Sequence, residues 1–155
     1  MVTHNVPIED RVTEALRRLE EGLGTPIVPG ALDAWANTVN EEMCVVDALL
    51  HEHYKSSHER DFTTISKNDP EQLSRVQQLR EVDVKLRTGF DELTLQAVES
   101  WSRIQASDGT SSDSDLLLQT FVTNALQWIR SVRMHEQAID TWFHESFNRD
   151  RGVGD

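Results

Sequence analysis

Apolar residues along the chain recur at three- and four-residue spacing, with no strand-like alternation of any length. That spacing is the mark of amphipathic helices. Proline and glycine punctuate the pattern at Pro7, at Gly22-Leu-Gly24-Thr-Pro26 running on to Pro29-Gly30, and at Asn68-Asp69-Pro70. A Ser/Asp-rich stretch from Ala106 to Asp115 makes the last break, and reads as a solvated connector. The pattern predicts a short first helix over about 9–22 and three long ones over about 31–65, 70–105 and 114–149. Asn68 or Asp69 is placed to cap the third helix, with Pro70 in its first turn. Asp113, Ser114 or Asp115 can cap the fourth, and Arg151-Gly-Val-Gly-Asp155 ends it. Long helices with short connections pack as neighbours, so the expected fold is all-α: one domain, 1–155, built as an antiparallel four-helix bundle. The first helix docks through Val12, Leu16, Leu19 and Leu23.

Following each long stripe brings out its exceptions. The second helix presents Leu32, Trp35, Val39, Met43, Val46, Leu50, His53 and Ser57 on one face. The third presents Leu73, Val76, Leu79, Asp83, Leu86, Phe90, Leu93 and Ala97. The fourth gives Leu118, Phe121, Ala125, Trp128, Val132, His135, Ile139 and Trp142. One strongly polar residue interrupts each stripe: His53, Asp83 and His135, with Ser57 a smaller second intruder. His53 lies 15 residues before Asn68 and Asp83 lies 15 after it; Asp83 is 27 before Thr110 and His135 is 25 after it. At about 1.5 Å of rise per residue, antiparallel packing puts all three in roughly one layer. Buried ionisable groups are costly alone and tolerable in company. Such a layer is either a hydrogen-bonded cluster that fixes helix register or a metal site, since imidazole and carboxylate suit iron, zinc or manganese.

Charge and composition narrow the function classes. The 155 residues hold 15 Lys+Arg against 27 Asp+Glu, a formal charge of −12. An acidic chain repels phosphate, so nucleic acid is not an expected partner. No apolar run reaches the roughly 20 residues of a membrane helix. The start MVTHNVPIED has no apolar targeting core, which leads to a cytoplasmic expectation. The single Cys44, between Met43 and Val45, is expected to be an inert packed thiol. No nucleophile elbow, phosphate loop or dinucleotide fingerprint occurs, so no enzyme is expected. His4, His51, His58 and His144 read as ordinary surface histidines, and Glu136 with Asp140 as a salt-bridge partner for Arg133. Trp35, Trp101, Trp128, Trp142 and Phe143 read as core.

Three segments together resemble the bacterial hemerythrin-like (HHE) domains. They are Leu50-His-Glu-His53-Tyr-Lys-Ser-Ser57-His-Glu59, Leu79-Arg-Glu-Val-Asp83-Val-Lys-Leu86, and His135-Glu-Gln-Ala-Ile139-Asp140 with Phe147 to Asp155 behind it. They span most of 31–155. The resemblance implies a four-helix bundle holding a non-haem di-iron centre through His and carboxylate ligands, for oxygen, iron or redox sensing. Carried over residue by residue, it implies metal ligation by His53, by His135 with Asp140, and by Asp83 where the family has histidine. It also implies an incomplete site. Ser57 stands at the glutamate position of the H-x-x-x-E motif, Arg87 brings a positive charge, and the first helix has no histidine. The resulting expectation is a non-catalytic binding or sensing domain without a cofactor. The alternatives are an iron-binding variant and an acidic helical module that receives a protein partner in a groove beside the first helix.

Overall fold

A computed structural model describes residues 6–107 and 112–150. Every regular element among them is helical: α1 (Ile8–Gly24), α2 (Leu32–His53), a π-helical turn (Tyr54–His58), α3 (Glu59–Asn68), a 3-10 turn (Pro70–Gln72), α4 (Leu73–Ala106) and α5 (Ser112–Asp150). The segment from α2 through the π turn to α3 is continuous, so the four predicted helical segments are all present. No helix among the described residues is long and apolar enough to cross a membrane.

Local chemistry accounts for the junctions. Asp69 accepts a hydrogen bond from the backbone N–H of Glu71 at 3.2 Å, and Pro70 opens the turn behind it. This cap serves a 3-10 turn, and α4 proper begins only at Leu73. Leu73 therefore sits at a helix end and is 53% exposed, not core as expected. The α1–α2 connection turns at Gly30, whose φ of +84° suits a residue without Cβ. The tip of the Ser/Asp-rich connector (108–111), the tail 151–155 and His4, for which the sequence also raises expectations, lie outside the described residues. Ser114, expected as a possible cap, is buried with its hydroxyl 3.2 Å from that of Ser107.

The core divides into two apolar clusters. The larger joins α1 (Val12, Leu16, Leu19, Leu23), α2 from Trp35 to Leu50 with Tyr54, α4 from Leu86 to Ala97, and α5 from Phe121 to Val132. The smaller contains Phe62, Ile65, Val76, Leu79, Ile139 and Trp142. Indole N–H groups tie the rods together as they bury: Trp35 donates to the Gly22 carbonyl and Trp128 to the Leu86 carbonyl, both at 2.9 Å. Gly89 lets α4 accept Trp128, because a Cβ there would meet the indole at 3.3 Å. Trp101 and Phe143, expected as core, are only half-buried at its margin. Cys44 is exposed, which corrects the packed-thiol expectation: Met43 takes the inward position and its neighbour faces away.

Candidate metal centre

Between the two apolar clusters lies a polar layer. Along the chain it interrupts the core between Tyr54 and Phe62, between Leu79 and Leu86, and between Val132 and Ile139. Five side chains fill it as an alternating relay. His53 Nε2 donates to Glu136 Oε2 at 2.8 Å, and His58 Nε2 donates to the same oxygen at 3.1 Å. His58 Nδ1 reaches both oxygens of Asp83 at 3.0 Å. His135 Nε2 closes the series on Asp83 Oδ1 at 2.6 Å. The three histidines are buried, and Asp83 and Glu136 are partly buried.

The π turn makes the arrangement possible. In an α-helix, residues five apart point about 140° away from each other. The wider turn takes in one extra residue, so His53 and His58 face the same carboxylate, their ring centroids 4.5 Å apart. The inward stripe then resumes one residue late, at Phe62 and Ile65. Tyr54 stacks on His58 at 4.6 Å with the planes 19° apart. Turns of this type are common at functional sites.

Electrostatics follow the geometry. Burial alone would lower the pKa of His58, but hydrogen bonds to Asp83 and Glu136 outweigh it and raise the pKa to about 9. His58 is therefore an imidazolium donating from both nitrogens. Burial would raise the Glu136 carboxyl, yet bonds from His53 and His58 hold it at about 2. Asp83 is likewise lowered, against its own desolvation, by His135 and His58. Tyr54 is raised by burial and by the charges of Glu136 and Asp83, so its phenol stays protonated. Among the described residues, His53 Nδ1, Glu136 Oε1 and the Tyr54 hydroxyl find no hydrogen-bond partner.

The donors fall into two sets whose ligand atoms lie within 4.8 Å of one another: His53, His58 and Glu136, and His58, Asp83 and His135. His58 belongs to both, presenting Nε2 to one carboxylate and Nδ1 to the other. A cavity of about 230 Å³ adjoins the first set, lined by His53, Ser57, His58 and Glu136 together with Glu9 and Asp140. It is smaller than pockets for drug-sized ligands and suits a hydrated ion, a water occupying about 30 Å³. Imidazole and carboxylate donors without thiolate fit iron, zinc or manganese.

Of the residues expected from sequence, His53, Asp83 and His135 share this layer, but His53 does not touch Asp83. His58 and Glu136 stand between them. Asp140 stays exposed at the edge of the cavity, outside both donor sets. His58, expected as a surface residue, is 2% exposed and central to the relay. Glu136, expected to meet Arg133, faces the histidines, while Arg133 pairs with Glu20 of α1 at 2.6 Å. Ser57 is buried, Arg87 is exposed, and His51 and His144 are exposed as expected. The available signal for His58 and Glu136 was their adjacency to Ser57 and His135, one residue out of helical phase.

Compared with known proteins, the chain matches no family model, no curated protein and no solved structure.

Proposed function

We propose that this chain is a divalent-cation-binding protein with a hemerythrin-like, antiparallel four-helix-bundle architecture, serving binding or sensing without turnover. The observation that carries the reading is the pair of three-donor sets joined at His58 in a layer that parts the core. Orphaned donor atoms support it further. Leaving a buried polar group unpaired costs about 1–3 kcal/mol, and two such atoms, His53 Nδ1 and Glu136 Oε1, belong to residues of the first donor set. The antiparallel arrangement is favoured by the order of layers. Along α2 to α3 and along α5 the large cluster precedes the polar layer, whereas along α4 it follows. When bound, the cation supplies an electrophilic centre beside the small cavity.

The test is metal content and affinity. Purified chain, stripped and then titrated anaerobically with Fe²⁺ and separately with Mn²⁺ and Zn²⁺, is expected to retain at least one ion through gel filtration. Failure to retain any of the three opposes the proposal. A second reading, a helical interaction module, draws on one observation. A groove of about 680 Å³ runs between α1 and α2, lined by Val6, Ala15, Val45 and Leu49 among charged residues. That reading gains if no ion binds.

A further inference from the structure

The polar layer draws its five donors from three of the four rods, and α1 contributes no histidine. Yet α1 begins at the height of the layer. Ser57, buried inside the π turn between His53 and His58, donates its hydroxyl hydrogen bond at 2.9 Å to Glu9 Oε1 in the first turn of α1. Glu9 lines the same cavity as His53, His58 and Glu136. The hydroxyl engages one of the two carboxylate oxygens, and the backbone N–H of Glu9 itself also bonds to the carboxylate.

Resting on the cation-binding reading above, we propose that Glu9 is a ligand from the fourth rod to the ion held by His53, His58 and Glu136, aimed by Ser57. Ser57 thus does not leave the layer short of a carboxylate; it fixes one that arrives from another helix. Two other carboxylates line the cavity and serve less well. Asp61 is paired with Arg60 at 3.1 Å, and Asp140 is exposed at the edge without a bond to a residue of the layer. Of these three, Glu9 is the one hydrogen-bonded to the turn that presents the histidines. An ion so bound links α1 to the other helices.

Co²⁺ serves as the probe, because its visible absorption changes with the number and type of ligands. Titrations compare wild type, Glu9→Gln, Ser57→Ala, Asp140→Asn and His53→Ala. Glu9 is exposed, so the metal-free Glu9→Gln variant is expected to unfold at the same temperature as wild type. Its Co²⁺ affinity is expected to fall by about 10-fold or more with an altered spectrum, and that of Ser57→Ala by less, in the range of about 10–100-fold known for groups that orient ligands. Asp140→Asn, which removes the same charge from the same cavity, should retain the wild-type spectrum. Wild-type affinity in Glu9→Gln, or an affinity loss with an unchanged spectrum, overturns the inference while His53→Ala still reports on the centre itself. A wild-type protein that binds no Co²⁺ overturns the cation-binding reading as well.

Discussion

His58 holds the layer together. Its ring donates to two carboxylates at once, and each carboxylate accepts from a second histidine on a different segment. Replacement by leucine in the metal-free protein removes the shared cation and leaves Asp83 and Glu136 each with one partner. Breaking a buried ion pair from one side is strongly destabilising. Urea unfolding of His58→Leu is therefore expected to show a loss on the order of 3 kcal/mol; a loss within about 0.5 kcal/mol, typical of a surface substitution, would contradict a central role. The same residue sets a pH dependence. Because its pKa rises from an ordinary 6.5 to about 9, its stabilisation is complete below 6.5 and is lost as pH rises through 9. Glu136, lowered from 4.5 to about 2, acts in the opposite sense: its contribution is present above 4.5 and lost as pH falls toward 2. The metal-free thermal midpoint should be highest between pH of about 4.5 and 6.5 and decline toward pH 9. His58→Leu should lose that alkaline decline. A profile flat from pH 6 to 9 in wild type would count against the imidazolium.

At the scale of elements, the π turn explains both what could be read in advance and what could not. Four helical segments, their breaks, and the inward positions of His53 and His135 followed from helical periodicity, because packing rewards an apolar face at regular spacing. Periodicity assumes a constant 100° per residue, and one extra residue between His53 and His58 breaks that assumption. Counting forward from His53 by four lands on Ser57, which is buried but bonds to Glu9; the side chain that completes the layer is the next one. Glu136 escaped for a different reason. It lies one place beyond His135 on the flank of the stripe, and only the nearby histidines draw it inward and away from Arg133. If the turn absorbs one inserted residue, then deleting exposed Ser56 should restore a regular helix and keep Phe62 and Ile65 in phase with Leu50. Circular dichroism of that deletion variant is expected to show unchanged helicity and a midpoint within about 8 °C of wild type, a change of roughly 1–2 kcal/mol. Loss of cooperative unfolding would mean that the extra residue is needed for the fold.

For the whole molecule, the polar layer separates a large apolar cluster from a small one, so the centre sits within the core and not at one end of it. A protein with the core cut by five ionisable groups gives up apolar burial at about 25 cal/mol per Å². In the proposed centre a bound cation would return stability through linkage, about 2.7 kcal/mol at an ion concentration 100 times Kd. Ligation also requires the histidines to surrender protons, so ion binding should release protons to buffer and strengthen as pH rises. The excess of acidic side chains, −12 overall, would favour the approach of a cation from a distance, an attraction that weakens with salt. The most direct measurement is anaerobic titration of the stripped chain with Fe²⁺, following the thermal midpoint and the bound metal together, in wild type and His58→Leu. The midpoint is expected to rise with bound iron in wild type, while His58→Leu takes up no iron and shows no shift; a wild-type chain that takes up no ion and shows no shift would contradict cation binding at this layer.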